Sequence, residues 1–335
     1  MRRKNSLRKL HPNQTRLEEN KILKTQIATI LLATLLFACF VPSASAQTDA
    51  NVTVHFIDVG QGDSIFIDTA NMDVLIDGGS ASQSQTVLDY LDSLNITHIH
   101  LIIATHMHED HIGGLVGVLN SALTIDEVLI NNQSSTSATY ANFMALAQTH
   151  NLTVAQRGQT YILTETANLT VANPIQPLEF SDQNDNSIVT RLQVGNTSFL
   201  FSGDAEESAE DSMLVSSVVS LKCDVLKVGH HGSYTATSQT FLDIAAPQYA
   251  VICAGIDNSY GHPHNETIQK LLAANVTIYG TYASGTIIAT TDGTTITFPD
   301  SPETIPETTS TLTLTILTTV TLLAIMVYRK KSPNN

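Results

Sequence analysis

From Val52 onward, short strand-like runs alternate with helical ones. "VTVHFIDV" alternates apolar and polar positions with a period of two, and "DSIFIDT" and "DVLIDGG" follow in the same style, which predicts three early strands. "SQTVLDYLDSL" places Val87, Leu88, Leu91 and Leu94 at helical spacing. "HLIIATH" predicts a buried strand, "HIGGLVGVL" the start of a helix and "TYANFMALAQTHN" another helix that includes His150.

The second half repeats this texture. "SIVTRLQVGNTSFLFSGD" predicts a hairpin about Gly195-Asn196. "AEESAEDSMLVSSV", "SQTFLDIAA" and "NETIQKLLAAN" predict helices, the last capped by Asn265, and "DVLKVG" and "YAVICAG" predict strands. "GTIIATTDGTTITF" closes the series as a hairpin with an Asp292-Gly293 turn. There is no internal repeat. Mixed strands with interspersed helices, in two similar halves, predict an α/β domain over residues 51–299, with two sheets face to face and helices outside. A chain of this length buries such a core as one domain.

The two ends differ from this middle. Eight of the sixteen Lys+Arg fall within residues 1–24; an apolar run from Ile27 to Val41 and "PSASAQ" follow. Residues 1–46 therefore predict a signal peptide cleaved after Ala46, or an uncleaved N-terminal anchor. Residues 300–311 form a Pro/Thr/Glu stalk, residues 312–328 a single membrane helix, and residues 329–335 a basic cytoplasmic tail. These ends predict a cell-membrane location, with a C-terminal anchor and the folded domain outside the cytoplasm. Eight N-x-S/T sequons, from Asn51 to Asn275, agree with an exterior location. Cys223 and Cys253, the two cysteines beyond the N-terminal segment, fit either one disulfide or two buried thiols.

Charge narrows the partners. Between the basic ends the chain carries five Lys+Arg against 29 Asp+Glu. That field repels polyanions and disfavours tight binding of nucleic acid. The sequence says nothing of oligomeric state.

"ATHMHEDHIGG", residues 104–114, carries the chemistry. His106 and His108 are two apart after a strand, so extended geometry puts both imidazoles on one side, able to share a cation. Asp110 and His111 follow where a helix begins and can serve a second cation. Gly113 and Gly114 allow close backbone approach. Imidazole plus carboxylate suits zinc, manganese or iron.

This motif resembles that of the metallo-β-lactamase superfamily. "VHFIDVGQGDSIFI", "VLIDGG", "ATHMHEDHIGG", "NDNSIV", "FLFSGDAE", "DVLKVGHHGS" and "SYGHPHNETI", in that order, are similar to the metallo-hydrolase domain of ComEC/Rec2-type competence proteins. The resemblance implies a four-layer αβ/βα sandwich with a site for two divalent cations, zinc or manganese, at one sheet edge. By position, it implies His106 and His108 as ligands of the first cation and Asp110 and His111 as ligands of the second. It implies Asp204 as the bridging carboxylate and one histidine of "GHHGS" as the last ligand of the second cation. His230 is the favoured one, leaving His231 to a substrate or an outer hydrogen bond. Tyr260, His262 and His264 are expected near the pocket, with His264 joining Asp110 and Asp204 as a catalytic group. Asp58 and Asp77 are expected to orient imidazoles or turn glycines. One departure stands out. Many superfamily members place a further first-cation histidine between the first motif and the bridging aspartate, whereas here that interval holds only His150, with Asn184 of "NDNS" in the expected place.

A cation lowers the pKa of a bound water from 15.7 to about 7, so such a site attacks phosphorus or carbonyl carbon. The chain has no G-x-S-x-G elbow and no P-loop. The expected activity is metal-dependent hydrolysis of a small-molecule or polymeric phosphoester, extracellular DNA included. A carboxyl-ester, thioester or lactam hydrolase and an inactive binding module are the alternatives.

Overall fold

The computed structural model describes residues 51–299. In chain order the first half runs β1 (Val52–Phe56), β2 (Ile65–Asp68), β3 (Val74–Ile76), α1 (Ser84–Ser93), β4 (His98–Ala104), α2 (Glu109–Leu119), β5 (Thr124–Ile130), α3 (Ala138–Ala147) and β6 (Asn151–Val154). The second half begins with β7 (Thr160–Ile162), β8 (Ala167–Asn173), β9 (Val189–Val194), β10 (Thr197–Phe201), α4 (Glu207–Val215) and β11 (Val225–Lys227). It continues with a tight turn at Gly229–Gly232, α5 (Gln239–Ala245), β12 (Tyr249–Ile252), α6 (Asn265–Ala273), β13 (Thr277–Gly280), α7 (Thr281–Ser284), β14 (Ile287–Thr291) and β15 (Ile296–Thr297).

Two mixed sheets result, with strand orders β15-β14-β1-β2-β3-β4-β5-β6 and β13-β12-β11-β10-β9-β8-β7. Three apolar clusters show how they stack. Alternate residues of the strands, such as Leu101 and Ile103 from one sheet and Phe199 and Phe201 from the other, fill the space between the sheets. Ile102 and Val128, on the opposite pleat, meet Val87, Leu115, Val118 and Phe143 of α1 to α3. Leu200 and Leu226 meet Met213, Phe241, Leu242 and Leu271 of α4 to α6. The expected sandwich of two sheets with helices outside is therefore observed, because the period-two strands carry one apolar set for each face.

Strands β3, β4 and β5 run parallel, as do β10, β11 and β12. In such sheets functional groups collect beyond the carboxyl ends of the strands. Asp77 follows β3, His106 follows β4, Asp204 follows β10 and His230 follows β11. Backbone contact locks these ends together. A Cβ on Gly114 of α2 would sit 1.8 Å from the Gly78 carbonyl oxygen, so only glycine allows the helix to dock on the turn after β3.

Some expectations fall outside the described residues, some are settled and others are corrected. Residues 1–46 and the stalk, membrane helix and tail expected over 300–335 lie outside the described residues. Among the described residues no helix is long and apolar enough to cross a membrane, so the membrane location with a single C-terminal anchor is withdrawn. Asn265 is the first residue of α6; His264 occupies the cap position, without a side-chain cap. His150 falls past the end of α3, and its Nδ1 lies 3.3 Å from the Ile125 carbonyl oxygen. Cys223 and Cys253 are both free and buried, and burial pushes both thiols up to about 12.

Candidate metal centre

His106 and His111 are fully enclosed, while His108 is half-buried at the start of α2. Burial beside His111 drives the His106 imidazole well below its ordinary range, so it is neutral at neutral pH. Its Nε2 lies 3.0 Å from His108 Nδ1. Across the sandwich, Asp204 enters from the second sheet, its amide donating to Ser187 Oγ at 3.2 Å.

Four imidazoles face one oxygen of this carboxylate. Asp204 Oδ2 is 3.8 Å from His106 Nε2, 3.3 Å from His111 Nε2, 3.7 Å from His230 Nε2 and 3.4 Å from His231 Nε2. His231 Nε2 is also 3.5 Å from Asp110 Oδ2. Donors bound at ~2.0–2.1 Å around a tetrahedral ion stand roughly 3.3 Å apart, so these groups are close enough to hold a metal ion together. His111 Nε2, His231 Nε2 and Asp204 Oδ1 are buried with no hydrogen-bond partner, a costly state that a cation would relieve. The donor set, imidazole and carboxylate with no thiolate, fits zinc, manganese or iron.

Outer contacts fix the rings. His111 Nδ1 donates to Asp77 Oδ2 at 2.7 Å, and Asp77 also accepts from the Thr105 amide and hydroxyl at 2.8 and 2.6 Å. His231 Nδ1 donates to the Cys253 carbonyl at 2.9 Å. His230 Nδ1 donates to Glu206 Oε1 at 2.7 Å. With each Nδ1 so engaged, each Nε2 is free to bind a metal. Asp58 sits apart from the pocket, its Oδ1 accepting the Gly60 amide at 3.0 Å.

Charge and burial act against each other in this cluster. Burial alone would neutralise His111 and His231, but Asp204, joined by Asp77 for His111 and by Asp63 for His231, raises both well above the ordinary value. The same histidines overcome burial to hold Asp204 well below the carboxylate range, and His231 and His111 likewise lower Asp110.

The resemblance favours His230 over His231 beside Asp110 and His111. The structure places His231 there: it is 1 % exposed and clusters with Asp63, His111 and Asp204 as a group able to hold a metal ion. His230 is nearer solvent. Both reach Asp204 because His230 and His231 adopt consecutive left-handed conformations, with φ of 46° and 53°. An extended chain would send them to opposite sides. Such φ values cost about 1–3 kcal/mol each and persist only where surrounding structure enforces them. His264, expected as a catalytic group, does not line the pocket; its Nδ1 accepts the Tyr234 amide at 3.1 Å. His262 lines it instead, neutral at neutral pH because burial and the charges of His230 and His231 lower it to about 4.

Three residues had no role assigned from sequence. Asp63 and Lys227 form a fully buried ion pair behind the imidazoles. Asp63 Oδ1 lies 3.3 Å from His231 Nδ1, on the side away from the convergent Nε2 atoms. Lys227 Nζ donates to the Gly203 carbonyl at 2.9 Å and stands 4.0 Å from Asp204 Oδ1. Glu206 is the third. The available signal for Lys227 was a lone cation in the apolar run "DVLKVG".

A pocket of about 580 Å³ opens over Asp204, lined by His108, Asp110, Asn184, His230, His231 and His262, with exposed Tyr260 at its rim. That volume suits a small substrate or one segment of a polymer.

Two stacked sheets with a His/Asp centre at their carboxyl edge define a metallo-β-lactamase-type domain. The chain carries one: the profile of the metallo-β-lactamase superfamily matches residues 57–122 and 181–256. Among curated proteins, it is 27 % identical to ComE operon protein 3 of Bacillus subtilis over 81 % of this chain and 37 % of that one. It is 29 % identical to competence protein ComA of Neisseria gonorrhoeae over 76 % of this chain and 35 % of that one. The chain thus spans about a third of the length of these relatives, and the similarity is consistent with the ComEC/Rec2-type form of the domain. A solved structure, the metallo-β-lactamase fold protein YhfI of Bacillus subtilis, matches 72 % of this chain and 100 % of its own with 12 % identity and a TM-score of 0.48.

Proposed function

We propose that this domain is a two-cation hydrolase of phosphodiesters or related phosphoesters. The observation that carries the reading is the single oxygen Asp204 Oδ2 faced by four imidazole Nε2 atoms. In this reading Asp110, His111, His231 and Asp204 hold one ion, and His106, His108 and Asp204 hold another. When bound, divalent ions supply Lewis acidity and a water that ionises near neutral pH.

The chain's own residues then have distinct tasks. Asp204 would serve both ions, since its Oδ2 is the oxygen the four imidazoles face. Asp77 and the Cys253 carbonyl keep His111 and His231 turned Nε2-inward. His262 and Tyr260 border the entrance, their rings stacked at 5.6 Å, and offer polar contacts to the leaving portion of a substrate. Asn184, at the rim, donates to Glu206 at 3.3 Å.

Two points favour phosphorus over acyl carbon. The side chains that line the site are mostly polar, His108, Asp110, Asn184, His230, His231 and His262 among them. The similarity to proteins named for competence, and to recombination protein 2 of Haemophilus influenzae at 26 % identity, supports a nucleic-acid diester as one substrate class. None of the residues lining the pocket is Lys or Arg, so substrate charge would be met by the ions rather than by side chains, and long nucleic acid would bind weakly.

The test uses the purified full-length chain with manganese or zinc against bis-p-nitrophenyl phosphate, a p-nitrophenyl carboxylate ester and single-stranded DNA. Diester turnover that Asp204→Asn abolishes supports the reading. Turnover of the carboxylate ester alone overturns it in favour of an acyl hydrolase.

A further inference from the structure

We propose that His230 completes the first ion's protein ligands, and that Glu206 is the positioning residue that aims it. The inference rests on the two-cation reading. In that reading the second ion already has four donors, in Asp110, His111, His231 and Asp204, which fills a tetrahedral site. The first has only His106, His108 and Asp204. His150, the histidine in the interval where another ligand was expected, is held at the Ile125 carbonyl near the amino end of β5, away from the carboxyl strand ends.

His230 meets the requirement by geometry. Its Nε2 lies 3.7 Å from Asp204 Oδ2, nearly matching the 3.8 Å of His106 Nε2 from the same oxygen. An ion bound at that oxygen is within its reach, and the ion still short of a donor is the one on His106 and His108.

Glu206 gives this placement its direction. Its Oε1 accepts from His230 Nδ1 at 2.7 Å, from Thr235 Oγ1 at 2.9 Å and from Asn184 Nδ2 at 3.3 Å. Three donors therefore pin one carboxylate oxygen, and that oxygen pins the ring. The carboxylate–imidazole pair directs the Nε2 lone pair inward and makes it a better donor. The backbone contributes too: the His230 amide donates to the Gly203 carbonyl at 3.1 Å, tying the left-handed turn to the "SGD" loop that carries Asp204. "NDNS", "SGDAE" and "GHHGS" thus act together. Asn184 reaches the site through Glu206 and His230, and the asparagine standing where a histidine was expected serves to position one from another loop.

The experiment measures metal ions per chain by elemental analysis after equilibrium dialysis, zinc affinity by chelator competition, and the visible spectrum of the cobalt(II) form. Wild type is compared with His230→Ala, His231→Ala, Glu206→Ala and Glu206→Gln, each first checked for a wild-type circular dichroism spectrum and melt without metal. Expected are two ions in wild type and one in His230→Ala. His231→Ala also keeps one, with a different cobalt spectrum, since the other ion remains. Glu206→Ala weakens the ion lost in His230→Ala by about 10–100-fold, the range for such outer partners. Glu206→Gln, which keeps an acceptor oxygen, restores part of that loss. Two ions bound by His230→Ala with wild-type affinity and spectrum overturn the inference and leave the two-cation reading standing. Fewer than two ions in wild type overturn that reading, and the inference with it.

Discussion

Lys227 and Asp63 pair as ions in a site where neither is more than 1 % exposed, directly behind His231 and Asp204. Asp63 and Asp204 raise the Lys227 ammonium against the opposing effect of burial. Removing one partner of such a pair strands a buried charge and costs about 3–5 kcal/mol, whereas removing both is often close to neutral. Lys227→Met is therefore expected to destabilise the metal-free protein by about that amount in urea unfolding. Adding Asp63→Asn to it recovers most of the loss. A Lys227→Met midpoint equal to that of wild type contradicts this account of the pair.

Stability without metal should depend on pH in a defined direction. His111 and His231 have folded-state values raised above 6.5. Their contribution is complete below about pH 6.5 and disappears as pH rises through the raised values. Asp204 is depressed below 3.8, so its contribution is present above about pH 3.8 and lost as pH falls through the lower value. The metal-free melting temperature should accordingly fall from pH 6.5 toward pH 9. Excess zinc should reverse that alkaline trend, because the imidazoles must shed protons to bind it. Calorimetric melts in chelator and in zinc make the comparison. A metal-free melting temperature that climbs across this range contradicts the charge state of the two histidines.

Gly114 is the backbone constraint most exposed to test. A methyl group there would meet the Gly78 carbonyl oxygen at 1.8 Å, forcing α2 away from the turn that carries Asp77. Gly114→Ala should cost about 1–3 kcal/mol or more in thermal or urea unfolding, the range for overpacking. It should also weaken metal binding through displaced Asp110 and His111. Gly60, where an added Cβ meets nothing within 4 Å, has a positive φ that sets a smaller penalty, and Gly60→Ala is the control.

The sandwich was legible because its strands alternate with period two and its helices carry apolar residues at helical spacing. The cluster from His106 to His111 was legible because it is local: one strand end and one helix start bring its members together. What spacing could not show is geometry set by distant backbone. The consecutive left-handed His230 and His231 follow no period-two rule, so both face Asp204 where a strand reading admits only one. Asp63 and Lys227 carry no ligand motif, and their pairing joins the loop before β2 to the end of β11 in the other sheet. His264 was drawn toward the chemistry by the "YGHPH" sequence, yet it sits at the start of α6, bonded to the Tyr234 amide, while His262 faces the pocket. The membrane anchor rested on terminal segments outside the described residues, and the described helices offer no span.

The central claim, two cations sharing Asp204 Oδ2, has one direct test. Metal ions per purified chain are counted by elemental analysis in wild type, His106→Ala, His231→Ala and Asp204→Asn, each verified as folded. The account predicts two ions in wild type, one in each histidine variant and loss of both in Asp204→Asn, since a single oxygen serves the pair. Two ions retained by Asp204→Asn at wild-type affinity would contradict it.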